Sequence, residues 1–237
     1  MVEQQTLKIT NVLSDPTRFS IYQYVSRQRE DVTVQAIAEQ FNIHSNVARL
    51  HLTKLEDVNM LESETKKNGK GGRPSRFYRI SDEVINLQFP YRDYQKLAGM
   101  AVEALVSLGD EGQAALTALG HKYGKEAAKE FLARTSQKLE ELTVEEKVSC
   151  IEKIAINQGL NPDIEFDEKR QTIDFKIYNC TFKELVKEYT GALCNMHNQM
   201  LKGIFEYFFG DVNLKENHLM TDPEQRACSY STVLLPK

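Results

Sequence analysis

The stretch from Leu7 to Val25 carries apolar Ile9, Val12 and Leu13 and then Phe19, Ile21 and Tyr22, which predicts helix. Asp15-Pro16 interrupts it, because proline lacks a backbone donor and restricts the residue before it, so a short lead-in helix should stop and a second start at Pro16. In "DVTVQAIAEQFNI", Thr33 suits an N-cap, Ile37, Ala38 and Phe41 form an apolar face, and Asn42 suits a tight turn. "HSNVARLHLTKLEDVNM" predicts the next helix, capped by His44 or Ser45, with Val47, Leu50, Leu52 and Leu55 as buried contacts. Alternation then suggests a strand over Leu61–Thr65 and a return strand over Arg76–Ile80 around a glycine-rich tip.

Beyond Pro90 the pattern turns helical. Leu97, Met100, Ala101, Ala104, Leu105 and Leu108 share a face in a helix over Tyr91–Gly109, and a second helix covers about Glu111–Thr135. Thr143 and Glu146 have the spacing of a capping box for a helix ending at Gly159. "PDIEFDEKRQTIDFKIYNC" alternates as two strands joined at Asp167–Arg170. "TFKELVKEYTG" and "CNMHNQMLKGIFEYFFG" predict two helices, followed by strands near Val212–Glu216 and Cys228–Leu234.

The expected class is α+β. Two short helices, a turn and a longer helix form a helix-turn-helix, and the hairpin after it is a wing. The expected divisions are a winged helix-turn-helix domain over 1–90, a helical linker and dimerisation region over 91–140, and an α+β effector-sensing and dimerisation domain over 141–237.

Charge changes this picture in one place. The chain has a formal net charge of −4, yet Lys66 to Ile80, "KKNGKGGRPSRFYRI", holds six basic residues and no acidic one. A cationic loop on its own is ordinarily solvated surface, but after a helix-turn-helix it points to nucleic acid. The second helix of such a motif enters the major groove, where Arg pairs with guanine and Asn with adenine. Ser45, Asn46 and Arg49 are therefore candidate base readers, with capping as the alternative for Asn46. His51 is carried with them, with packing as its alternative. Lys54 suits a phosphate, and Lys66, Lys67, Lys70, Arg73 and Arg76 suit the backbone or the minor groove. Double-stranded DNA is the expected partner.

"LSDPTRFSIYQYV", "TVQAIAEQFNIHSNVARLHLTKLEDVNML" and "GKGGRPSRFYRIS" together resemble the opening, core and wing of ArsR-type winged helix regulators over about the first 85 residues. The resemblance implies a dimeric transcription factor on a roughly palindromic operator, and the leading reading is a homodimeric transcriptional regulator of repressor type. Asn59 stands where such proteins commonly have glycine, and Asn also accepts a left-handed backbone. The rear part resembles the SufR-like branch in "YNCTFKELVKEYTGALCNMHNQMLKGIF" and "QRACSY", which implies an iron–sulfur cluster on Cys180, Cys194 and Cys228. That branch's fourth cysteine is absent, and His197 or His218 could replace it. Cys194 and His197, three apart, share a helix face. Zinc could use the same donors, and a cysteine also packs as a small buried hydrophobe. Cys150, between Val148 and Ile151, reads as core.

Other readings remain. No Ser/His/Asp order, phosphate-binding glycine loop or HExxH helix is visible, so an enzyme is not expected. No apolar run approaches the roughly 18 residues of a membrane span, the start lacks a secretory pattern, and a cytoplasmic location is expected. The alternatives are a metal- or redox-sensing module whose winged helix serves protein contact, and a regulator that responds to a small organic ligand.

Overall fold

The computed structural model describes residues 2–66 and 74–234. The chain divides into two compact units, Met1–Arg92 and Asp93–Lys237. In the first, α1 (Val2–Leu13) stops where expected and α2 (Pro16–Arg27) begins on proline. The Asp15 carboxylate accepts the Arg18 N–H at 2.9 Å, which satisfies a donor that the first helical turn leaves open. A two-residue strand, β1 (Val32–Thr33), leads into α3 (Val34–Phe41), whose Ala36 N–H donates to the Thr33 hydroxyl at 3.1 Å. Asn42 ends α3 in the left-handed region at φ 50°, and α4 (Ser45–Glu56) starts on His44, whose Nδ1 accepts the Asn46 N–H at 3.2 Å.

β2 (Leu61–Lys66) and β3 (Ser75–Ile80) form the hairpin, and β1 pairs with the far edge of β3, giving the antiparallel order β1-β3-β2. Asn59 does take the left-handed backbone, at φ 59°. Ile21, Ile37, Leu52, Leu55, Leu61 and Tyr78 fill this unit's core. Val47 and Leu50 do not join it. They are 41% and 54% exposed, because Ala48, Leu52 and Leu55 already supply the inward arc of α4.

The second unit contains α5 (Tyr94–Ser107), α6 (Asp110–Thr135), α7 (Val144–Asn157) and α8 (Lys183–Phe209), with β4 (Pro162–Asp167), β5 (Thr172–Ile177), β6 (Lys215–His218) and β7 (Cys228–Val233) in the antiparallel order β4-β5-β7-β6. The separate linker expected over 91–140 does not exist as a body of its own, since residues from Asp93 onward belong to the second unit. The reason is the packing of α6 along α8. The capping box is present: Thr143 Oγ1 accepts the Glu146 N–H at 3.2 Å, and the Glu146 carboxylate accepts the Thr143 N–H at 2.8 Å. The two helices expected around Gly191 are present: helical dihedrals break at Tyr189 (φ −126°, ψ 43°), two residues ahead of it, so the span α8 is two helical pieces joined at that kink. The last two strands lie close to their expected places. β6 starts three residues late because Val212 and Leu214 are buried ahead of it.

Phe175 of β5 meets Phe205 of α8 edge-on with centroids 5.6 Å apart, and Ile151, Leu160, Ile173, Ile177 and Tyr230 complete the core between sheet and helices. The α6–α8 seam is closer than side chains permit. A Cβ on Gly120 would overlap the Met196 carbonyl oxygen, one on Gly124 that of Met200, and one on Gly203 that of His121.

Gly124→Ala should therefore lower unfolding stability by on the order of 3 kcal/mol in urea titrations of the full chain. Gly191→Ala, where an added Cβ meets nothing within 4 Å, should stay within about 1 kcal/mol of wild type on the stabilising side. Equal effects of the two substitutions would contradict the packing argument.

Candidate nucleic-acid interface and thiol cavity

α4 is divided lengthwise. Ala48, His51, Leu52 and Leu55 face the core, whereas Asn46, Val47, Arg49, Leu50 and Lys54 are exposed and Ser45 and Thr53 are half-buried. At 100° per residue the exposed side chains fall on one continuous arc. Among the described residues neither Arg49 nor Lys54 has an acidic partner. The expected readers Ser45, Asn46 and Arg49 thus occupy the helix's N-terminal half, with Lys54 one turn past them.

His51 belongs elsewhere. It is buried, and its Nδ1 accepts the Arg18 Nε–H at 3.4 Å. The same guanidinium reaches the Val12 carbonyl at 3.0 Å and the Asp15 carboxylate at 3.4 Å. Burial pushes the His51 pKa below its ordinary value, with Asp15 opposing and the Arg18 charge reinforcing that shift. His51 therefore ties α4 to the α1–α2 corner and leaves the set of DNA-facing candidates.

The wing's cations are not as free as the sequence suggests. Lys66 Nζ lies 3.2 Å from Asp31 and 3.4 Å from Glu64, and these hydrogen bonds raise its pKa. Arg76 donates through one nitrogen to both Glu56 oxygens, at 2.8 and 2.9 Å, and through Nε to the Ser63 hydroxyl at 2.7 Å. Glu56 is the last residue of α4, so this pair fixes the wing strand to the candidate reading helix. Lys67, Lys70 and Arg73 lie outside the described residues. Sequence reasoning missed both Glu56 as a partner and the exposure of Val47 and Leu50. The second was accessible, because a helix with Ala48, Leu52 and Leu55 inward must turn positions 47 and 50 outward.

In the second unit, Cys180, Cys194 and Cys228 line one cavity of about 320 Å³ together with His197 and Tyr230. Cys194 and His197 arrive on α8, Cys180 just before it, and Cys228 with Tyr230 on β7, where alternation puts both on one face. Val186, Leu193, Leu219 and Met220 make much of the remaining wall. Burial pushes the Cys194 thiol up to about 11, with the neighbouring Cys228 and Cys180 adding to it. Burial also raises Cys180 and Cys228, the second of which accepts the Met220 N–H at 3.3 Å. His197, edge-on to Phe182 at 5.2 Å, is held down at about 4 by burial, and its Nε2 has no hydrogen-bond partner among the described residues. His218 is exposed on β6 and does not line the cavity, so it drops out as a donor. Cys150 is buried in α7 apart from the cavity, its thiol 3.7 Å from Gln137 Oε1.

The donor set has the chemistry of an iron–sulfur site: three thiols, and a neutral imidazole nitrogen that is buried and unpartnered. It does not have the compactness of a single-ion site. Among the described residues no three His, Cys, Asp or Glu side chains stand close enough together to hold one metal ion. No described helix is long and apolar enough to cross a membrane.

A family model described as a helix-turn-helix domain matches residues 13–64, which span α2, α3, α4 and the start of the wing. The match supports a DNA-binding regulator of the ArsR type. A search of curated proteins finds no match. Among solved structures, the chain is similar to a trafficking protein particle complex subunit 3 from Naegleria fowleri covalently bound to palmitic acid. It is 14% identical, covers 60% of this chain and 96% of that one, and has a TM-score of 0.45, a likeness too loose to bear on function.

Glu56→Gln should release Arg76 for phosphate. Duplex affinity should then rise at low salt, and the slope of log K against log[salt] should steepen by about 0.9. An unchanged slope in salt titrations would mean that Arg76 stays tied to the fold.

Proposed function

We propose that the protein is a homodimeric transcriptional repressor that grips two half-sites of a palindromic operator with α4 and the wing. The observation that carries this reading is the outward arc of α4, where Asn46 and Arg49 supply base-pairing chemistry and Lys54 a cation with no acidic partner among the described residues. The helix-turn-helix match over 13–64 supports the same reading.

Dimerisation has its own support in α5. Tyr94, Leu97, Ala101, Ala104 and Leu108 are spaced three and four apart in alternation, and all are exposed, Leu97 and Leu108 each at 62%. An apolar stripe with that spacing is the seam of a paired helix, and a second copy of the same helix is the partner that satisfies it.

The second unit is the sensor. Cys180, Cys194, Cys228 and His197 would hold an iron–sulfur cluster in the cavity, and such a cluster would supply a centre sensitive to oxidants and to iron supply. The chain's own part is to keep the donors desolvated and neutral until they are claimed. A second reading keeps the regulator but fills the cavity with a small organic effector, which the apolar wall of Val186, Leu193, Leu219 and Met220 favours. Either ligand acts only if it prefers one arrangement of the two DNA-binding heads.

Two experiments test this. Leu97→Glu with Leu108→Glu should convert a dimer into a monomer by light scattering and abolish preference for duplexes with two half-sites about one helical turn apart. A wild-type protein that is monomeric, or that selects no duplex from a random pool, removes the reading. Purified without oxygen, the wild type should show visible absorption with iron and sulfide in its analysis, and Cys194→Ser should lose both. Colourless, iron-free wild-type protein removes the cluster and leaves the organic effector.

A further inference from the structure

α4 exposes two branched apolar side chains among the polar groups proposed to face DNA. Val47 follows Asn46 directly, and Leu50 follows Arg49, with exposures of 41% and 54%. Neither does packing work in proportion to its size, since Ala48, Leu52 and Leu55 fill the core side of the helix. A lone exposed leucine is unremarkable on a protein surface. This one stands one helical turn after Asn46 and one before Lys54, on the same outward arc.

In the major groove thymine presents an O4 acceptor and a 5-methyl, and the methyl is the apolar one. Polar side chains cannot read a methyl, whereas an aliphatic side chain gains by covering it. Cations beside Leu50 favour a polyanion as the occupant: Arg49 and Lys54 flank it without acidic partners among the described residues. Glu56, the carboxylate at the end of the helix, is taken by Arg76.

We propose that Leu50, with Val47 beside it, covers thymine methyl groups in the major groove and is a specificity-determining residue of the half-site. The inference rests on the DNA-binding reading above. Four residues of helix rise about 6 Å, close to two base-pair steps of about 3.4 Å. The contacted thymine therefore lies within about two steps of the base that Asn46 reads.

The test uses the full-length protein and its best duplex from a random pool, with thymines replaced one at a time by deoxyuridine in one half-site. Deoxyuridine lacks only the methyl. At the contacted step the wild type should lose about 3- to 5-fold in affinity, as expected for one uncovered methyl. Leu50→Ala should bind thymine and deoxyuridine duplexes equally at that step, with an unchanged thermal melt because the side chain is exposed. Val47→Ala should give a smaller loss of the same kind. Wild-type affinity that is indifferent to every replacement overturns the methyl contact and leaves the DNA-binding reading standing. The same preference for thymine in Leu50→Ala also overturns it. Failure to select any duplex overturns both.

Discussion

Ala48, Leu52 and Leu55 hold one side of α4 in the core of the first unit, and this anchorage determines which of its side chains meet solvent. It does so without strain, since His44 and Asn42 end the preceding turn with a cap and a left-handed residue. The buried Arg18–His51 contact adds a polar tie at the same depth. The outward placement of Asn46 and Arg49, of the aliphatic pair and of Lys54 follows from that one rotational setting. Turn the helix by one residue and a different set would face outward.

Charge on the wing works against a simpler picture. A run of six basic residues without an acid suggested a bare cationic arm, yet the carboxylates that answer it come from other parts of the chain. Asp31 precedes β1, Glu64 lies on β2, and Glu56 ends α4. Exposed ion pairs of this kind contribute little to stability. Their effect is on geometry, because the Glu56–Arg76 pair ties β3 to the end of α4. It also means that phosphate must compete with an existing partner at Arg76.

Local features were legible in the sequence because their causes are local. Proline at position 16, the Thr33 cap, Asn42 and the Thr143–Glu146 box each act within a few residues, and each is where the spacing put it. β1 escaped because two residues make no period. The break expected near Gly191 falls two residues earlier, at the Tyr189 kink, and the supposed linker vanished into the second unit because Gly120 and Gly124 meet α8, a partner some eighty residues away. Composition could not show that Cys180 and Cys228 come to one cavity, since sheet order and helix placement bring them there. The family resemblance pointed to those thiols; exposure alone separated His197 from His218.

The glycine seam between α6 and α8 has a mechanical consequence. Where backbone meets backbone, there are few rotamers to rearrange, so a load cannot be absorbed by repacking. Cys194 and His197 stand on α8 only two or three turns from Gly203. A molecule wedged against them would tilt a stiff pair of rods as a whole, and α8 would behave as a lever rather than a cushion.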